Sequence, residues 1–170
     1  SSQSPTSGGG YSDSVQIPST RTRAYNSGNW IRINVPSNWQ EFSGRESVQF
    51  APAGAYGDQG ITHGAMIGIV QANGQLDQAT ENYVQGLLES NNYLRQRTGF
   101  SQTRLAGRQA YTTILSGRSP ITGETENVTI YTTQLRNGSL FYVAAVAPQS
   151  ESYSYNTAFR NMVSSIRLND

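Results

Sequence analysis

The 170-residue chain contains no cysteine and one histidine, His63, so neither a disulfide nor a multi-histidine metal site can staple its fold. Its core must come from side-chain packing alone, and a single domain of this length can bury enough surface for that. All 12 Lys/Arg positions are arginine. Schiff-base lysines, Ser–Lys pairs, phosphate-loop lysines and thiol nucleophiles are excluded together, and a His-based triad has one possible base. The formal net charge of +1 gives no electrostatic reason to expect nucleic acid or an acidic membrane surface as a partner. No stretch approaches the ~20 apolar residues that span a bilayer.

Residues 1–20 (SSQSPTSGGGYSDSVQIPST) are rich in Ser, Gly, Pro and Gln and show no apolar period. They read as a flexible linker, with residues 21–170 as the folded domain. A start at Ser1 with no initiator Met and no signal-peptide pattern reads as a cut site, so that an excised domain or the mature part of a precursor is expected. On this reading, deletion of residues 1–20 leaves the melting temperature nearly unchanged.

The body reads as strands over 20–25, 30–35, 47–51 and 63–71, a helix over 78–93, strands over 100–105, 108–116, 127–136 and 140–147, and a helix over 151–166. In the second strand Ile31, Ile33 and Val35 share one face, opposite Trp30, Arg32 and Asn34. Asp77 is the expected N-cap of the first helix. Asn137-Gly138 signals a hairpin turn. LFYVAAVA (residues 140–147) is apolar on both faces, so both faces should be covered. Tyr155, Ala158, Phe159, Met162, Val163 and Ile166 form the core stripe of the last helix. Antiparallel hairpins with two intervening helices imply an α+β layered domain.

Trp30 to Phe42, WIRINVPSNWQEF, resembles the opening strand and V-P-x-x-W corner of PsbP-like domains, and Ala158 to Leu168, AFRNMVSSIRL, resembles their closing helix. The resemblance spans about Arg21 to Leu168 and implies an α/β/α sandwich around a central antiparallel sheet. Members vary in function, from assistance to a plant oxygen-evolving complex to bacterial envelope proteins. The Ser/Gly lead-in and ITHGAMIGI (Ile61 to Ile69) resemble a subset appended to bacterial zinc metallopeptidases that carry an HExxH helix; that helix is absent from this sequence. The resemblance implies a bacterial periplasmic, envelope-bound or secreted location. It implies a partner in an upstream domain of the same polypeptide or another envelope protein, and it carries no catalytic residue onto this chain.

The remaining candidates are weak chemistry. His63 follows the glycine-rich run Gly54–Gly60, which lacks a dinucleotide fingerprint and reads as a flexible hairpin loop carrying Tyr56 and Asp58. A metal at His63 would need carboxylates, and only Asp58 is close in sequence. Glu124 and Glu126 could form an acid–base pair but read as solvated. Arg95, Arg97, Arg104 and Arg108, with Tyr93 and Phe100, could bind an anion or a single strand. Possible ligand or partner contacts are therefore Trp39, Tyr56, Asp58, His63, Arg95, Arg97, Arg104 and Arg108, with no catalytic residue, no metal ligand and no cofactor. The expected function is a non-catalytic accessory or interaction domain; a carrier of a small or lipid-like ligand, held between sheet and helix, is the alternative.

Overall fold

A computed structural model describes residues 10–170. Thirteen strands and two α-helices follow one another as β1 (Thr22–Ser27), β2 (Ile31–Pro36), β3 (Trp39–Ser43), β4 (Ser47–Pro52), β5 (Tyr56–Gly57), β6 (Gly60–Ile61), β7 (Gly64–Val70), α1 (Leu76–Ser90), β8 (Arg95–Gln96), β9 (Ser101–Leu105), β10 (Arg108–Arg118), β11 (Thr125–Gln134), β12 (Leu140–Pro148), α2 (Ser152–Ser165) and β13 (Arg167–Leu168). A short 3-10 turn, Gln149–Glu151, leads into α2.

The central sheet is antiparallel, in the order β3-β4-β7-β12-β11-β10-β8, with β9 pairing on β10 beside β8. β12 is its middle strand, and all nine of its residues are buried, as its two-faced apolar sequence requires. The alternation of β12 divides the core. Phe141, Val143, Ala145 and Ala147 face α2 and the β1–β2 ribbon. Ala144 and Val146 face α1, through Val84 and its neighbours. A second sheet, β1-β2-β13, lies on the α2 side. The result is the expected α/β/α sandwich.

The α2 stripe behaves as the periodicity demands: Tyr155, Phe159, Met162 and Val163 are buried, and Ile166 caps the helix on the same core. α1 starts earlier and stops sooner than its sequence pattern suggests. Its N-cap is Gln75; Asp77 lies inside the first turn, where its carboxylate accepts the Gln78 N–H at 2.7 Å beside the positive helix end. The β11–β12 connection is longer than a two-residue turn. The Leu135 N–H bonds the Ser139 carbonyl at 2.9 Å, and Asn137-Gly138 sits within that loop.

Residues 11–19 are not a free tether. The Ser12 N–H donates to the Gly54 carbonyl at 2.8 Å, and the Tyr11 hydroxyl donates to the Gly60 carbonyl at 2.7 Å. Asn38 binds both the Ser19 N–H and the Ile17 carbonyl. This half of the expected linker therefore carries hydrogen bonds to the body; its first nine residues lie outside the described residues.

Candidate functional site

His63 ends the connection into β7 and points to the α2 side of the sheet. Gly64, the first residue of β7, takes φ +133°, and any Cβ there would collide with the Phe50 carbonyl. That close approach sets the backbone from which His63 projects. The imidazole is 5 % exposed. Its Nδ1 lies 2.9 Å from the Thr62 hydroxyl and its Nε2 3.2 Å from Glu151, and its ring tilts on Tyr155 at 5.4 Å. A neutral ring satisfies both neighbours when Nε2–H donates to the carboxylate and Nδ1 accepts from Thr62. Hydroxyl, imidazole and carboxylate thus stand in the order of a hydrolytic triad. The hydroxyl cannot meet a substrate, because Thr62 is 3 % exposed beneath the strand. This is a buried polar clamp joining β7 to the start of α2.

Trp39 belongs to the same wall. It is 2 % exposed, stacks on Tyr155 at 6.3 Å and meets Phe159 edge-on. Its indole N–H has no hydrogen-bond partner among the described residues. It is a core residue, packed against the buried face of α2. Tyr56 stacks face to face on Phe42 at 3.8 Å, and Asp58 sits in the tight turn between β5 and β6. The glycine run is therefore a paired hairpin, held down by Tyr11, whose hydroxyl also accepts the Gln59 N–H at 3.0 Å.

The four arginines do not converge. Arg95 stands opposite Ser116 and Arg104 opposite Gln109 along β10, seven residues apart, or roughly 23 Å at strand rise. Arg97 bonds β10 through its own N–H, onto the Ile114 carbonyl. Arg108 is engaged by Asp170 and by the Gln134 and Leu168 carbonyls. Glu124 and Glu126 also part company. Glu124 is exposed and accepts from Ser150, whereas Glu126 is buried and accepts the Tyr93 hydroxyl at 2.6 Å. Burial raises the Glu126 carboxyl above its ordinary range, partly offset by the Tyr93 bond, and burial likewise raises Tyr93. Among the described residues no group of three or more His, Asp or Glu side chains gathers to hold a metal ion.

One concavity was not read from the sequence. A cleft of about 430 Å³ separates the β1–β2 ribbon from β4 and β7. Tyr25, Trp30, Ile31, Val48, Ile67 and Ile69 make its walls, and Arg45, Glu46 and Ser47 stand along it. Trp30 falls in the turn before β2 rather than on the strand, so it escapes the alternation that would send it to solvent; it meets Phe141 edge-on at 6.4 Å. The expected cleft lay between sheet and helix, and this one lies between two sheets.

These layers define a PsbP-like fold. No known family's sequence profile matches the chain, and no curated protein matches it in sequence. Solved structures do. The solution structure of cyanobacterial PsbP (CyanoP) from Synechocystis superposes with a TM-score of 0.64 at 12% identity, over 94% of this chain and 98% of that one. The crystal structure of LpqN from Mycobacterium tuberculosis, a protein involved in cell envelope biogenesis, gives 0.57 at 13% identity, over 88% and 91%. A Bacteroides thetaiotaomicron structure gives 0.52 at 15% identity, and the 83% of this chain that aligns spans only 46% of that protein. Among the described residues no helix is long and apolar enough to cross a membrane.

Proposed function

We propose that this chain is a non-catalytic accessory domain of a bacterial envelope protein, working by presentation of a rigid sheet-and-helix surface to an upstream domain or to a neighbouring envelope protein. The observation that carries this reading is the placement of His63. The chain's one imidazole is closed in on both nitrogens by Thr62 and Glu151 beneath Tyr155, out of reach of a substrate. Likeness in fold to CyanoP and to LpqN, along nearly the whole of both, supports the same reading by analogy. A zinc metallopeptidase is the parent that the Ile61–Ile69 segment suggests. The test is an assay of the purified domain against peptidase, esterase and phosphatase reporter substrates, alongside His63→Gln. No turnover is expected from either protein; turnover that His63→Gln abolishes overturns the reading.

A second reading has its own observation. The cleft between the β1–β2 ribbon and β4–β7 has six apolar or aromatic wall residues and falls within the size range of small-molecule sites. A carrier domain would hold the apolar part of an amphiphile there. Native mass spectrometry of freshly purified protein separates the two: a retained adduct lost on Ile67→Trp favours the carrier, and a bare chain favours the accessory domain.

A further inference from the structure

The three-stranded sheet places two arginines face to face. In the antiparallel pairing of β13 with β2, Arg167 stands directly opposite Arg32, and on the other side of Arg32 stands Asn26 of β1. All three are exposed. Like charges directly opposed in an antiparallel pair oppose the pairing. The Cα atoms of such partners are only ~4.5–5.5 Å apart, well inside the screening length of physiological salt.

Among the described residues nothing nearby neutralises them. The ion pairs among the described residues are Arg23–Glu41 and Arg108–Asp170, Glu151 bonds His63, and none of these contacts involves Arg32 or Arg167. Asp170, three residues beyond Arg167, is held by Arg108 and by the Arg136 N–H. A cleft of about 380 Å³ opens over the pair, lined also by Asn26, Asn29, Asn169 and Gly28. A second, of about 570 Å³, runs from Arg167 to Arg104. Neither lining contains a carboxylate.

We propose that this outer face of the β1-β2-β13 sheet binds a phosphate monoester dianion between Arg32 and Arg167. Each guanidinium offers a planar fork of donors, and a tetrahedral phosphate can accept from two forks at once. Its double negative charge cancels the local pair, and the Asn26, Asn29 and Asn169 amides supply neutral donors around it. The bound anion removes the repulsion that the register builds in. A soluble phosphomonoester and the headgroup of phosphatidate present the same chemistry. The site goes beyond the accessory-domain reading and does not depend on it.

The experiment titrates the full chain with glycerol phosphate against chloride at matched ionic strength, followed by amide NMR shifts and melting temperature. Saturable shifts are expected at Asn26, Arg32, Arg167 and Asn169, with a rise in melting temperature. The double variant Arg32→Gln/Arg167→Gln is expected to bind roughly tenfold or more weaker. It should also melt no lower than the parent chain in chloride, because its repulsion is gone. Arg95→Gln/Arg97→Gln is expected to bind as the parent chain does. Co-sedimentation with phosphatidylcholine vesicles, with and without phosphatidate, identifies the source: capture that needs both phosphatidate and the two arginines marks the lipid headgroup, and glycerol phosphate binding without capture marks a soluble ligand. No saturable response to either probe overturns the proposal. So does a response that survives in the Arg32/Arg167 variant, or one that falls equally in the Arg95/Arg97 variant.

Discussion

The Tyr155 hydroxyl donates to the Gln16 carbonyl across 2.9 Å, so the buried face of α2 is tied to the segment that precedes the first strand. Tyr155 is fully buried, and its ring lies between Trp39, His63 and Phe159. Burial raises its phenol further above its ordinary range, so it donates at any physiological pH. Tyr155→Phe keeps the packing and loses one hydrogen bond, an expected loss of about 1 kcal/mol, or about 2–4 °C in melting temperature for a domain of this size. Deletion of residues 1–20 removes in addition the Tyr11, Ser12 and Ser19 contacts. Compared with a chain that begins at residue 10, it should melt several degrees lower by calorimetry; an unchanged melting temperature would show these contacts to be energetically empty.

Glu126 carries a cost at neutral pH. Burial raises its folded-state carboxyl above the ordinary 4.5, although the Tyr93 hydroxyl helps the charged form. The folded protein therefore holds this proton more tightly than the unfolded chain does. Stability falls as pH rises from 4.5 through the raised folded value, and the deficit is constant above that. Glu126→Gln retains an oxygen that can accept from Tyr93 and removes the buried charge. It should raise the melting temperature at pH 7, and the gain should shrink as the pH falls through the raised folded value and be gone below 4.5. A loss of stability at pH 7 would mean that the charge-assisted Tyr93 bond outweighs desolvation.

The layered fold was legible because its main elements announce themselves locally. The nine-residue β12 is apolar on both faces and lies at the centre of the sheet. The α2 stripe repeats at helical spacing and docks where it must. What stayed hidden is short or non-local. β8, β13 and the β5–β6 hairpin have strands of two residues each, too brief for any period to show, and β3 follows directly on a Pro-Ser-Asn stop signal. The docking of residues 11–19 rests on partners such as Gly54, Gly60 and Gln59, more than forty residues away in the chain. Local composition registers their polarity and not those partners. The site fared likewise. Four arginines that look clustered in sequence spread along one edge, whereas Arg32 and Arg167, 135 positions apart, become neighbours only through the register of β13.

Gly64 should tolerate no side chain. Its φ of +133° disfavours any L-residue, and the Phe50 carbonyl occupies the place of a Cβ. Gly64→Ala must shift β4 against β7 and pull His63 from its clamp. The expected cost is about 2 kcal/mol or more, given the strain and the clash together. Urea denaturation should show a lower midpoint with an unchanged slope. Gly123→Ala, at a surface turn where no atom crowds the Cβ position, is the control for φ strain alone and should cost less.

Asp170 fastens the end of β13 to the β10 edge. Its carboxylate accepts from both terminal nitrogens of Arg108 and, at 2.6 Å, from the Arg136 N–H. The Arg108 guanidinium, above all, lowers its carboxyl from 3.8 to about 2. The folded state thus holds this proton less tightly than the unfolded chain. Stability from the pair is fully present above pH 3.8 and is lost as the pH falls from 3.8 towards 2. Because the pair is partly open to solvent, its worth is discounted to about 1 kcal/mol. Asp170→Asn should therefore lower the melting temperature at pH 7 and converge with the parent chain near pH 2. Arg108→Gln should show the same pH-dependent loss on top of a pH-independent one, because it also gives up the bonds to the Gln134 and Leu168 carbonyls, and Asp170→Asn in the Arg108→Gln background should cost little more. A full additive loss in the double variant would show that the two side chains act apart.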